Sequence, residues 1–280
     1  MCIRDSDEPV APLSVSATIT DVSCFGESTG FIDVTTTGGT PSYSFSWAND
    51  PTYTNEDYNN ISAGTYDLTV TDDENCTVSE TFIVDEPLAA LSSDITETDV
   101  SCFGLGDGNA QVVVSGGTFP YTYQWDNINS ISPSTGLQGA GTYPLLIEDD
   151  NGCQLLDTAF IDQPNDLTAA FDVTPISCPA GGNGAITVNV SGGTTPYTNY
   201  VWSSGTSSNF QNSTTQPNSI VSVFEGDFTV VVTDSNGCVG TFTNTVEAPL
   251  PLIPNEIVND VQCFGENTGS IQLNVSLSLI

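Results

Sequence analysis

The sequence predicts an all-β chain built as tandem immunoglobulin-like β-sandwich modules. Three observations lead there. A twenty-residue stretch recurs: DVSCFGESTGFIDVTTTGGT from Asp21, DVSCFGLGDGNAQVVVSGGT from Asp99, PISCPAGGNGAITVNVSGGT from Pro175, and the opening DVQCFGENTGSIQLNVS from Asp260. Apolar and polar residues alternate with a period of two in short runs separated by Gly, Pro, Asn and Asp, the pattern of half-buried strands joined by turns. No window holds a helical period. The equivalent cysteines Cys24, Cys102, Cys178 and Cys263 recur at near-constant intervals, each long enough for a small domain and far too long for one turn of a solenoid.

The elements follow in order along the first copy. Val15, Ala17 and Ile19 begin it, and Cys24 to Gly30 is a turn-rich loop. Ile32, Val34 and Thr36 alternate with Asp33 and Thr35, and Gly38-Gly39-Thr40-Pro41 ends that strand. Tyr43, Phe45 and Trp47 form a strand with an aromatic face, followed by a polar stretch, Asn49 to Asn60, with room for a short edge strand. Tyr66, Leu68 and Val70 make the next strand, Asp72 to Asn75 the turn, and Val78, Phe82 and Val84 the last strand before Pro87. The second and third copies repeat this through Tyr121, Tyr123, Trp125 and Tyr197, Tyr200, Trp202, and close on Pro164 and Pro249. Asn151-Gly152 and Asn236-Gly237 between alternating strands predict type I′ hairpin turns. Six or seven short strands in each copy suit a sandwich, in which the tryptophans are core residues. Exposed, they would instead be platforms for sugar stacking. The expected boundaries are a tail and linker over 1–12, modules over 13–87, 88–164 and 165–249, and the truncated start of a fourth over 250–280.

The run CFGESTGFIDVTTTGGTPSYSFSW resembles the SprB repeat of secreted Bacteroidetes surface proteins, and the resemblance extends over about residues 13 to 275. The third copy departs from it with Cys178-Pro179-Ala180 and with an extra residue between Tyr197 and Tyr200. The resemblance implies a cell-surface, extracellular adhesin exported by the type IX pathway, in some relatives linked to gliding motility. Its partners would be extracellular surfaces, polysaccharide or other cell-surface proteins. A different class is also open: carbohydrate-binding accessory modules of a secreted polysaccharide-degrading enzyme.

Composition narrows the function. Thirty-five Asp and Glu stand against one Lys or Arg, with no His, for a net charge of −34. Nucleic-acid binding is excluded because phosphate contacts need Lys and Arg, and an anionic membrane surface is a poor partner for the same reason. No apolar run is long enough for a membrane-inserted helix. Without His or Lys, the usual activated serine or lysine nucleophiles cannot be built. Carboxylate-only glycoside hydrolysis needs a large cleft that a module of this size does not offer. The expectation is no enzyme. The Gly-Gly pairs precede strands rather than helices, so they are not dinucleotide loops.

The ends of the sequence stand apart. MCIRDS carries the only Met, the only Arg and a cysteine outside the repeat pattern, and it lacks the apolar stretch of a signal peptide. It resembles translated adapter sequence. At the far end Val275-Ser276 runs into Leu277-Ser278-Leu279-Ile280 where the pattern calls for Gly-Gly-Thr. Both tails are set aside, and the chain is taken as an internal fragment.

Two residue sets are candidates for special chemistry. The late turns gather Asp72, Asp73 and Glu74, then Asp149 and Asp150, then Asp234, oxygen ligands of the kind calcium prefers. No other cofactor is expected. Each full copy also has two cysteines at similar separations and matching places, which points to bonds Cys24–Cys76, Cys102–Cys153 and Cys178–Cys238, with Cys263 free. Closing a loop of that size stabilises by about 4 kcal/mol. A plain immunoglobulin topology opposes this pairing. It places the two cysteines at opposite ends of the sandwich, about 20 Å apart for strands of about six residues, whereas a disulfide needs Cα atoms within about 7 Å. Either the first strand ends early and the chain doubles back, or the topology differs, or the thiols are free.

Overall fold

The structure, a computed structural model, describes residues 11–126, 128, 130–205 and 218–277. The MCIRDS tail with Cys2, residue Pro9 of the linker, most of the polar stretch from Ser203 to Ser219 and the last residues from Ser278 lie outside the described residues. Every regular element described is a strand. The chain divides into two compact units, Met1–Thr98 with Gly108–Ile161, and Asp99–Asp107 with Asp162–Ile280.

The first repeat has six strands: β1 (Ser14–Thr20), β2 (Gly30–Thr37), β3 (Ser44–Trp47), β4 (Tyr58–Ile61), β5 (Gly64–Thr71) and β6 (Thr77–Val84). They form two three-stranded sheets, ordered β1-β2-β4 and β3-β5-β6, with every pairing antiparallel. The alternation in sequence becomes alternation in burial: Tyr66, Leu68 and Val70 of β5 point inward, while Thr65 and Asp67 face water. Between the sheets lies one core in which Trp47, Ile32, Leu68 and Val70 are 0 % exposed. Facing apolar sides of two sheets can be buried only against each other, which is the physical basis of a sandwich.

Strand directions follow from the pairings and from two short connections between the sheets, 38–43 and 62–63, each of which reverses the chain. Strands β1, β3, β4 and β6 run one way, β2 and β5 the other. The β1–β2 loop that carries Cys24 therefore lies at one end, and the β5–β6 turn that carries Cys76 lies at the other. This is the plain immunoglobulin topology, and it overturns the expected pairing within a repeat. Cys24 is bonded to Cys153, and Cys102 to Cys238, with Cα–Cα distances of 5.7 and 5.6 Å. Cys76, Cys178 and Cys263 are free and exposed. Cys24–Cys76, Cys102–Cys153 and Cys178–Cys238 do not form, because each would have to span the length of its sandwich.

The first unit also holds β7 (Ser92–Thr98), β8 (Asn109–Ser115), β9 (Thr122–Trp125), β10 (Gly141–Glu148) and β11 (Gln154–Ile161) of the second repeat. β7 pairs with β8, and β9-β10-β11 form the facing sheet. In place of β4, single bridges join Gly108 to Gln138 and Gln111 to Ser134.

The second unit contains β12 (Thr168–Thr174), β13 (Gly184–Ser191), β14 (Asn199–Ser204), β15 (Ser219–Val223), β16 (Gly226–Thr233) and β17 (Val239–Val246). Their sheets, β12-β13-β15 and β14-β16-β17, repeat the order of the first sandwich around Trp202, Phe228, Val230 and Val232. β18 (Leu252–Asn259) and β19 (Ser270–Leu277) form an antiparallel pair whose residues up to Ser276 are exposed, as expected of two sandwich strands with no facing sheet among the described residues.

Candidate functional site: the stapled junctions

The recurring motifs converge on one end of each sandwich. The Gly-Gly-Thr segment, the linker that precedes the first strand, and the late turn meet there. In the first repeat Gly38 and Gly39 both have positive φ, 71° and 62°. The N–H of Gly39 donates to the carbonyl of Ala11 at 2.9 Å. A Cβ on Gly38 would sit 2.0 Å from the Pro12 carbonyl oxygen, and one on Gly39 would sit 2.8 Å from Asp72 Oδ2. Two glycines are thus required, one for the incoming linker and one for the aspartate. The same contacts recur at Gly116-Gly117 and Gly192-Gly193.

The aspartate organises the turn. Asp72 Oδ2 accepts the N–H of Thr40 at 2.9 Å, while Oδ1 accepts those of Glu74 at 3.1 Å and Cys76 at 2.8 Å. Asp149 does the same for Thr118, Asn151 and Cys153, and Asp234 for Thr194, Asn236 and Cys238. All three aspartates are buried. The N–H of Thr40, helped by those of Cys76 and Glu74, holds the Asp72 carboxyl below the usual carboxylate range, against the upward pull of burial. These turns are not type I′. Of Asn151 and Gly152 only Gly152 has a positive φ, 83°, and the N–H of Gly152 closes on the Asp149 carbonyl at 3.1 Å. The side-chain acceptor at the start of the turn selects this longer form over the two-residue hairpin.

The residues expected to ligate calcium are therefore spread over different tasks. Asp72, Asp149 and Asp234 face inward onto backbone N–H groups, whereas Asp73, Glu74 and Asp150 lie outside the buried set. Among the described residues no group of three Cys, Asp or Glu side chains is placed to hold a metal ion.

At the opposite end of the first sandwich, the Cys24 loop is tied to the exit strand. Val22 N–H donates to Asp85 O at 2.9 Å, Gly26 N–H to Glu86 Oε2 at 2.6 Å, and Asp85 N–H to Asp21 Oδ1 at 2.9 Å. The Cys102 loop carries the same ties: Val100 N–H to Asp162 O, Gly104 N–H to Gln163 Oε1 and Asp162 N–H to Asp99 Oδ1. The exit strand leads straight into the next repeat, so this loop meets the next repeat's late turn.

Cys24 bonds Cys153 there, and Asn151 Nδ2 donates to the Ser23 carbonyl at 3.0 Å. In the second unit Cys102 bonds Cys238, and Asn236 Nδ2 donates to the Ser101 carbonyl, also at 3.0 Å. Phe103 and Leu105, each about half exposed, stand over a pocket shared with Leu167 and Val239. In the first repeat Glu74, which cannot donate, takes the place of the asparagine, and Cys76 beside it is free. In the third, Ala248 takes the place of Glu86 and Gln163, so its side chain offers no oxygen to the Cys178 loop.

Sequence reasoning found the cysteines, the glycine pairs and the turn aspartates, but it missed the cysteine pairing and read Asn151 and Asn236 only as turn residues, not as donors to the Ser23 and Ser101 carbonyls. The signal was present: Asn appears two residues before the cysteine in the two turns that form bonds and not in the one that does not. Also missed were the locks made by tyrosine hydroxyls. Tyr43, Tyr121 and Tyr197 donate to the carbonyls of Gly38, Gly116 and Gly192 at 2.6, 2.7 and 2.9 Å. Tyr66 and Tyr143 donate to Ser62 and Gly139 at 2.7 and 2.8 Å, as in the tyrosine corner of immunoglobulin sandwiches.

Fold and junctions together define a tandem array of immunoglobulin-like sandwiches in which successive repeats are cross-linked. The family model of the SprB repeat matches at residues 16–52, 95–130, 170–207 and 255–276, the opening part of each of the four copies. No curated protein matches it. Solved structures that match include the three N-terminal domains of the Highly Immunogenic Outer Capsid protein (Hoc) of bacteriophage RB49, with 16 % identity, 84 % of this chain and 99 % of that one covered, and a TM-score of 0.39. The S-layer protein rSbsC(31-844) matches at 13 % identity over 95 % of this chain and 50 % of its own, with a TM-score of 0.33. The N-terminal eight immunoglobulin domains of Down Syndrome Cell Adhesion Molecule match at 10 % identity over 88 % and 40 %, with a TM-score of 0.25.

Proposed function

We propose that this chain is a non-catalytic spacer and adhesive segment of a secreted cell-surface protein. The observation that carries the reading is the pair of disulfides joining successive repeats, a device for holding an array together outside the cell, where thiols are oxidised. The SprB family match supports the same location. The family resemblance adds export by the type IX pathway and a part in adhesion or gliding, with polysaccharide or other surface proteins as partners. Absence of His and Lys supports a non-catalytic role, since the common nucleophile and base pairs have no residues to build them. Trp47, Trp125 and Trp202 are 0 % exposed and serve as core, which supports the spacer over a sugar-stacking module.

The test is labelling of intact cells that carry the gene, using an antibody raised against the purified chain. Labelling of unpermeabilised cells that is lost after mild external proteolysis is expected. Labelling that requires permeabilisation would overturn the reading.

A further inference from the structure

We propose that, between Cys24 and Cys238, tension on this chain runs through the disulfides Cys24–Cys153 and Cys102–Cys238 and the middle of the second repeat, and that it bypasses the linkers joining the first three repeats. The argument rests on covalent topology. The bonds Cys24–Cys153 and Cys102–Cys238 are interlaced: Cys102 falls inside the loop closed by the first, and Cys153 inside the loop closed by the second. The shortest covalent route from Cys24 to Cys238 crosses to Cys153, runs backwards along the chain to Cys102, and crosses again. Only the segment from Cys102 to Cys153 is then under load, in place of the whole chain from Cys24 to Cys238.

The elements on the route are β8, β9 and β10. β7 and β11, the two linkers that join the first three repeats, and everything in the first repeat beyond Cys24 lie off it. So does the part of the third repeat that precedes Cys238. A pull that opens one repeat cannot then release its whole length. The Asn151 and Asn236 amides and the turn aspartates hold each bonded cysteine in its turn, so load is delivered to a prearranged anchor. The inference takes its purpose from the surface-spacer reading, but it is tested on the isolated chain. Failure here leaves the cell-labelling result untouched, and failure there leaves the force path untouched.

The experiment is single-molecule pulling of the full chain by handles at its two ends, oxidised and then in a phosphine reductant. At about 3.5 Å per extended residue, the chain withheld by the two bonds makes the oxidised molecule stop about 57 nm short of the reduced one. Two variants separate this route from bonds within repeats, which would withhold the same length. Cys76→Ser is expected to leave the oxidised length unchanged. Cys153→Ser is expected to lengthen it by about 9 nm, because the route then follows the longer stretch from Cys24 to Cys102 instead of that from Cys102 to Cys153. Equal lengths in oxidised and reduced chains would overturn the proposal. So would lengthening of Cys76→Ser by about 18 nm, the extended reach of the chain between Cys24 and Cys76.

Discussion

Asp234 is the residue on which the third late turn depends. It is 1 % exposed and accepts three backbone N–H groups, from Thr194, Asn236 and Cys238. Replacement by Ala leaves those donors without an acceptor in a dry site, so Asp234→Ala should cost roughly 2–4 kcal/mol. Hydrogen exchange at β16 amides would show this as loss of protection. A shift below about 0.5 kcal/mol, the range of ordinary surface changes, would mean that water replaces the carboxylate. Asp72 adds a pH dependence. Its folded pKa lies below the unfolded value of about 3.9, so its stabilisation is complete above that pH and is lost as pH falls through the depressed folded value. The first repeat should loosen at its late turn in acid, and Asp72→Asn should remove that part of the acid sensitivity. Exchange of the Cys76 and Thr40 amides between about pH 5 and about pH 2 checks it, spanning the ordinary and depressed carboxylate ranges.

At the scale of elements, the strands were legible because burial on one face leaves a period of two that can be read directly. Tyr66, Leu68 and Val70, and their counterparts Phe228, Val230 and Val232, are buried as their alternation requires. Trp47 is legible for the same reason. Its ring fills the space between the sheets, and its Nε1 donates to the Asn55 carbonyl at 3.0 Å. Trp47→Ala should destabilise the first repeat by roughly 3–5 kcal/mol, lowering exchange protection in β2 and β5 while leaving β16 unchanged. Turns were less legible. Asn-Gly alone suggests a two-residue hairpin, and only the contact between Asp149 and two later N–H groups reveals the longer turn. The glycine pairs read as strand breakers, yet their closeness to a distant aspartate was invisible in one dimension. A Cβ at Gly117, where φ is 59°, would sit 2.6 Å from Asp149 Oδ2. Gly117→Ala should therefore cost about 1–3 kcal/mol through strain and displacement of the carboxylate. The readout is exchange at Thr118 and Cys153, and unchanged protection there would refute the close approach.

At the scale of the whole molecule, the cysteine pairing shows where counting residues fails and topology succeeds. The similar separations of Cys24 from Cys76, Cys102 from Cys153 and Cys178 from Cys238 suggest one bridge inside each repeat. Those separations match because the repeat is periodic, and a bond to the next repeat is just as periodic. Strand direction decides between the two. A loop after the first strand and a turn before the last lie at opposite ends of any sandwich with these pairings, and the chain's exit beside that loop brings in the next repeat's turn. The rule assigns Cys24 to Cys153 and Cys102 to Cys238, and leaves Cys76, Cys178 and Cys263 as thiols in this chain. Alkylation of the native oxidised chain should label Cys76, Cys178 and Cys263 at once, and the four bonded residues only after reduction. Non-reducing peptide mapping should recover the two linked peptide pairs, Cys24 with Cys153 and Cys102 with Cys238. Recovery of Cys24 linked to Cys76 would require the first strand to turn back before Cys24. That would also break the β1–β2 register from Ser14–Thr37 to Thr20–Phe31, so the exchange pattern of β1 would change with it.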